Sequence, residues 1–119
     1  MARILIVEDS PTEQTAMQHL LSQHGHQVWV ANDGHAALDM ARQHKPDLIF
    51  MDVVMPGLNG YQATRELKKD ASTANIPVVM ITSKTQDSDK YWGMRQGAKA
   101  YICKPASEQE ILDVVSSLI

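Results

Sequence analysis

The 119-residue chain has one cysteine, six glycines and no run of more than four consecutive hydrophobic residues. Each scarcity excludes something. A lone Cys103 cannot close an internal disulfide, and single thiols fit a reducing compartment. Runs of four are far too short for a signal-peptide core or a membrane span, so a cytoplasmic protein without a membrane partner is expected. Positive charge is also short: 11 Lys and Arg stand against 14 Asp and Glu, a net charge of -3, and this predicts no nucleic-acid partner. No glycine-rich phosphate loop follows the first apolar run, where "EDSPTEQ" fits neither G-x-x-x-x-G-K-[ST] nor G-x-G-x-x-G. Repeats and low-complexity tracts are missing as well. A chain of this length makes one domain, expected over residues 1–119, and buries roughly two-thirds of its unfolded surface.

What is present alternates regularly. Short β-rich runs stand at Arg3 to Val7, Gln27 to Ala31, Leu48 to Asp52, Pro77 to Thr82 and Ala100 to Cys103. Helical signals fill the gaps. "SPTE" reads as a capping box, with Ser10 as N-cap, Pro11 at the first helical position and Glu13 reaching back. That helix carries Ala16, Met17, Leu20 and Leu21 on one side and ends near Gly25. Others are expected at Gly34 to His44, Tyr61 to Lys69 and Asp87 to Gln96. A last begins at the second capping box, "SEQE", with Ile111, Leu112, Val115, Leu118 and Ile119 at helical spacing. Strict alternation with short connections implies right-handed crossovers and an α/β fold, a parallel sheet covered by helices on both faces.

In such sheets ligands bind beyond the carboxyl ends of the strands. Glu8 and Asp9 follow the first run, Asp52 ends the third, Thr82 ends the fourth, and Lys104 and Pro105 follow the fifth. Asp52 is the odd residue among them, because "LIFMDVVM" surrounds it with apolar neighbours and an ionised group there must be paired. Three carboxylates repel one another unless a cation intervenes. Oxygen ligands without His or thiolate at matching positions point to Mg²⁺. Asp52 then reads as a carboxylate nucleophile, with Lys104 and the Thr82 hydroxyl placed to hold phosphoryl oxygens. Taken one at a time these residues are equally ordinary strand-end caps, and Asp9 equally a helix N-terminal charge. Glu8, Asp9, Asp52, Thr82 and Lys104 together on one rim are not ordinary.

"LIVEDS", "MDVVMPGLNG", "MITS" and "YICKP" make the chain resemble two-component response-regulator receiver domains, along essentially its whole length. The resemblance implies a doubly wound, flavodoxin-like fold with five parallel strands in the order 2-1-3-4-5 and five helices. It implies Asp52 as phosphoacceptor, Asp9 and Asp52 as side-chain ligands of Mg²⁺, the Val54 carbonyl as a backbone ligand, and Glu8 as an acid acting through water. Lys104 takes the phosphoryl-binding role and Thr82 the switch hydroxyl. Tyr101 takes the switch-aromatic position, and Pro105 follows a cis bond. Partners implied are a histidine kinase or phosphotransfer protein as donor, and a protein target at the face formed by the fourth helix, fifth strand and fifth helix. Within the family, "HGHQVWVANDG", "MPGLNGYQATREL" and "DKYWGMRQGAKAY" are similar to single-domain regulators of type IV pilus (twitching) chemosensory systems.

A haloacid-dehalogenase-type phosphatase also uses a strand-end Asp, but needs a second acid two residues on, where this chain has Val54. The reading is therefore a switch that catalyses only its own phosphorylation and dephosphorylation, not a turnover enzyme. With no output domain expected after the last helix, signalling passes by protein contact. Two alternatives stay open: a phosphate sink, and a binding module that works without phosphorylation. The methionines are assigned mostly to the core and Cys103 to a small buried position. The Tyr-Trp pair in "DKYWG" is assigned either to packing or to partner docking.

Overall fold

The computed structural model describes residues 1–119. Its strands are β1 (Arg3–Val7), β2 (Gln27–Ala31), β3 (Leu48–Met51), β4 (Val78–Thr82) and β5 (Ala100–Cys103). Its helices are α1 (Pro11–Gln23), α2 (Gly34–His44), α3 (Gly60–Lys69), α4 (Asp87–Arg95) and α5 (Glu108–Leu118). All strands pair in parallel, in the order β2-β1-β3-β4-β5. The chain goes outward from β1 to β2 and then returns past β1 to β3. The direction of winding therefore reverses between β1 and β3, and a crevice opens there above the strand ends.

Strand pleating assigns the core. Along β1, Ile4 and Ile6 face one side and Leu5 and Val7 the other, as a period of two requires. The first side meets Leu20 and Leu21 of α1 and Ile111 and Val115 of α5. The second meets Ala37, Leu38 and Ala41 of α2 and Ala63 and Leu67 of α3. Covered on both faces, β3 shows no exposure at any of its four residues, which is why its sequence is uniformly apolar. A smaller cluster of Val53, Met80 and Ala98 sits beside Tyr61 and Tyr101 near α4.

Helix starts follow side-chain chemistry. Asn59 and Gln62 form a reciprocal capping box at α3, and Ser107 and Glu110 form the expected one at α5. At α1 only half of the expected box exists: Ser10 accepts the Glu13 N–H at 3.4 Å, but the Glu13 carboxylate does not reach back. It is engaged elsewhere, as described below. Ala16, expected inward, is exposed, because only Leu20 and Leu21 of α1 reach the buried layer. β3 stops at Met51 rather than Asp52, and β4 starts at Val78 because Pro77 has no N–H to give the ladder. Of seven methionines only Met51, Met55 and Met80 are buried, and Cys103 is half-exposed. α4 ends at Arg95, and Ile119 lies beyond α5, 55% exposed.

Candidate functional site

Backbone hydrogen bonds carry the sheet one residue past its strands, and this fixes the rim. Glu8 N–H donates to the Ala31 carbonyl at 3.1 Å, Asp52 N–H to Val7 at 3.0 Å, and Lys104 N–H to Thr82 at 2.8 Å. Three charged side chains are thereby held to the rigid edge of one sheet. The loop after Asp52 is drawn in by Gly60 at the start of α3. Gly60 N–H donates to the Val53 carbonyl at 3.0 Å, and a Cβ on it would stand 2.7 Å from the Val53 Cα. Only glycine permits that approach. The Val54 N–H in turn donates to Oδ1 of Asp52 at 3.1 Å and orients the carboxylate.

Asp52 does not escape its apolar surroundings by protruding into water, as its place at a strand end would allow. It is 5% exposed, as is Glu8. What balances them is Lys104, whose Nζ lies 2.7 Å from Oε1 of Glu8 and 3.0 Å from Oδ2 of Asp52. A third carboxylate joins, Oε1 of Glu13 at 2.7 Å. Burial by itself depresses an ammonium pKa, but the hydrogen bonds to Glu13, Glu8 and Asp52 outweigh it, and Lys104 stays protonated well above the usual lysine range. Burial lifts Glu8 above the usual carboxylate value, opposed by Lys104 and by the Ser10 N–H that its Oε2 accepts at 3.1 Å.

Glu8, Asp9 and Asp52 each bring a carboxylate oxygen within 4.8 Å of the others. Two of the three are buried and Asp9 is exposed at the rim. An all-oxygen set with no imidazole or thiolate matches a hard divalent cation that keeps part of its water shell, so the residues fit Mg²⁺. Thr82 is fully buried, its Oγ accepting the Lys84 N–H at 3.3 Å. Tyr101 is half-buried and its hydroxyl donates to the Lys84 carbonyl at 2.8 Å. Thr82 and Tyr101 are thus both tied to Lys84 in the β4–α4 loop. Burial, with Tyr61 adjacent, pushes the Tyr101 phenol well above its usual pKa. The Lys104–Pro105 bond is cis. The residue that sequence reasoning misassigned is Glu13. Its position in "SPTE" has a ready local explanation, and its partner Lys104 is 91 residues away in the chain.

Residues 4–116 match the response regulator receiver domain. The chain belongs to this family. It is 53% identical over 119 residues to the protein PilH of Pseudomonas aeruginosa, covering 100% of this chain and 98% of PilH. Longer relatives match as well, the chain spanning 53% of one and 26% of another. Among solved structures, the chemotaxis protein CheY4 of Vibrio cholerae superposes with a TM-score of 0.94 at 28% identity, over 100% of this chain and 99% of that one. The receiver domain of the sensor histidine kinase PA1611 from Pseudomonas aeruginosa gives 0.91 at 30% identity, over 98% and 96% of the two chains; that structure has a magnesium ion coordinated in its active-site cleft. The receiver is a domain of two-component signalling, and its acidic cluster here is Glu8, Asp9 and Asp52. No helix of the chain is long and apolar enough to cross a membrane.

Proposed function

We propose that Asp52 accepts a phosphoryl group from a phosphohistidine of a kinase or phosphotransfer protein, and that the resulting aspartyl phosphate is the signal. The observation that carries this reading is the buried Asp52 carboxylate held between Lys104 at 3.0 Å and the acidic pair Glu8 and Asp9. An Asp52 oxygen forms the new bond to phosphorus while the P–N bond of the donor breaks, its electron pair staying on the imidazole nitrogen. Lys104 is placed to bind a phosphoryl oxygen. Asp9, Asp52 and the Val54 carbonyl would hold Mg²⁺, with Glu8 acting through water. When bound, Mg²⁺ offsets the negative charge brought by the phosphoryl group.

The readout runs through the β4–α4 loop. Thr82 turning toward the phosphoryl group would give up its bond from Lys84, and the same residue anchors the Tyr101 hydroxyl. Two conformations of this loop, differently favoured by phosphorylation, suffice to alter the surface of α4, β5 and α5. Tyr91, Trp92 and Met94 stand 64%, 49% and 47% exposed on α4, which supports output by protein contact. We read this output as control of type IV pilus (twitching) motility, exercised from the cytoplasm, a reading that the full-length likeness to PilH supports. The switch catalyses only its own phosphorylation and dephosphorylation.

The test is intact mass after incubation with Mg²⁺ and acetyl phosphate. One added phosphoryl group, absent from Asp52→Asn and from the metal-free sample, supports the reading. A folded protein that gains no mass from acetyl phosphate or from a phosphohistidine donor overturns it.

A further inference from the structure

Three carboxylates crowd the Lys104 ammonium: Glu8 and Asp52 accept hydrogen bonds from it, and Glu13 pairs with it at 2.7 Å. A phosphoryl oxygen approaching this ammonium meets three carboxylates already within 3.0 Å of it. One contact must therefore be exchanged when Asp52 is phosphorylated, and the three differ in how easily they release. The Glu8 side chain is 6% exposed and also bound to the Ser10 N–H. Asp52 is itself the acceptor, and its bond to Lys104 passes to the group attached to it. The Glu13 side chain is 47% exposed, sits in the first turn of α1 and has no second hydrogen-bond partner of its own. Beside it, a cavity of about 180 Å³ between α1 and α5 is lined by Met17, Leu20, Phe50 and Ile111 as well as by Glu13 and Lys104. A carboxylate leaving Lys104 there displaces no packed atoms.

We infer that Glu13 is a positioning residue: it holds Lys104 in the unphosphorylated state and is displaced by the phosphoryl group. The inference rests on the receiver chemistry proposed above. Glu13 opposes phosphorylation in two ways. It occupies a place beside the ammonium that a phosphoryl oxygen needs, and it adds a fourth negative charge to a rim that already has Glu8, Asp9 and Asp52. Both effects are electrostatic and partly solvated, so they are modest and weaken with salt.

Beryllofluoride with Mg²⁺, a non-covalent phosphoryl mimic, is the probe, titrated by amide NMR into wild type, Glu13→Gln and Glu13→Asp. Glu13→Gln removes the charge at nearly constant shape, and its half-saturating concentration is expected to fall roughly three- to fivefold, less at high ionic strength. Glu13→Asp shortens the arm but keeps the charge, and is expected to fall between the two. In the metal-free protein without beryllofluoride, the Lys104 side-chain ammonium signal is expected to be protected in wild type and broadened by solvent exchange in Glu13→Gln. A wild type that binds the mimic, with Glu13→Gln binding equally or more weakly and an unchanged ammonium signal, overturns the role of Glu13 alone. A folded wild type that does not bind it at all overturns the site chemistry and this role together.

Discussion

The Cβ that Gly93 lacks would stand 2.9 Å from Cδ2 of Tyr101 and 2.7 Å from Sδ of Met80. Glycine costs a helix interior about 1 kcal/mol relative to alanine, yet α4 keeps one because its backbone lies directly on the Tyr101 ring. Gly93→Ala should therefore destabilise the protein by about 1–2 kcal/mol despite its better helix propensity. In a Tyr101→Ala background the same substitution should cost less, because the Met80 thioether, the close contact that remains, can shift into the space the ring vacates. Urea denaturation of the two single mutants and the double mutant closes the cycle, and additive effects would show that ring and helix are not in contention.

Lys104 is the one cation within reach of two buried carboxylates, so Lys104→Ala leaves Glu8 and Asp52 uncompensated. Removing one partner of such a buried pair costs about 3–5 kcal/mol when the burial is complete, and somewhat less here because the Lys104 side chain is 18% exposed. A metal ion bound by the same carboxylates offsets the loss. Mg²⁺ should thus raise the melting temperature of Lys104→Ala by more than it raises that of wild type. An equal increment in both would mean that ammonium and metal do not share these oxygens. Some phosphorylation of the variant by acetyl phosphate is expected, uncoupled from target binding.

The alternation of short β-rich runs with capped helices made the sheet and its rim legible in the sequence, because local pattern alone sets strand, helix and crossover. β1, β2, α2 and β5 fall where their residues predicted. The differences lie where a distant partner competes with a local signal. "SPTE" describes a capping box perfectly well until Lys104 arrives from the far end of the chain and takes the Glu13 carboxylate. Asp52 was legible as a charge needing a partner, but its burial was not, since only the assembled rim shows that Lys104 rather than water satisfies it. Ala16 is at helical spacing from Leu20, yet it stands exposed in the folded chain, which its spacing alone does not tell.

His26 gives the protein a pH-dependent tether at the other end of the sheet. Its Nδ1 accepts the Ala2 N–H at 2.9 Å, which requires a neutral ring. Burial, the nearby N-terminal ammonium and His24 all hold its pKa below the ordinary value of 6.5. As pH falls, the unfolded chain takes up this proton before the folded one does. Its contribution is therefore fully present above about pH 6.5 and is lost as pH drops through the lower folded value. Between pH 7 and 5 the melting temperature of wild type should fall more steeply than that of His26→Gln, whose amide oxygen accepts the same N–H without titrating. Parallel profiles would remove His26 from the acid response.

Gly60 joins local conformation to site chemistry most directly. An alanine there would press its Cβ against the Val53 Cα at 2.7 Å, and backbone atoms yield only if the loop that follows Asp52 moves. Movement weakens the Gly60 to Val53 hydrogen bond and swings the Val54 N–H off Oδ1 of Asp52. Gly60→Ala should cost about 1–3 kcal/mol of stability by overpacking. It should also weaken Mg²⁺ binding, because both Asp52 and the Val54 carbonyl lie on the displaced segment. Phe50→Ala separates the two effects. It removes a fully buried ring from β3, costing about 3–5 kcal/mol, without touching that loop. Mg²⁺ titration at a temperature where all three proteins are folded should show weaker binding in Gly60→Ala and wild-type binding in Phe50→Ala. Equal weakening in both would trace metal affinity to global stability and not to the approach that Gly60 allows.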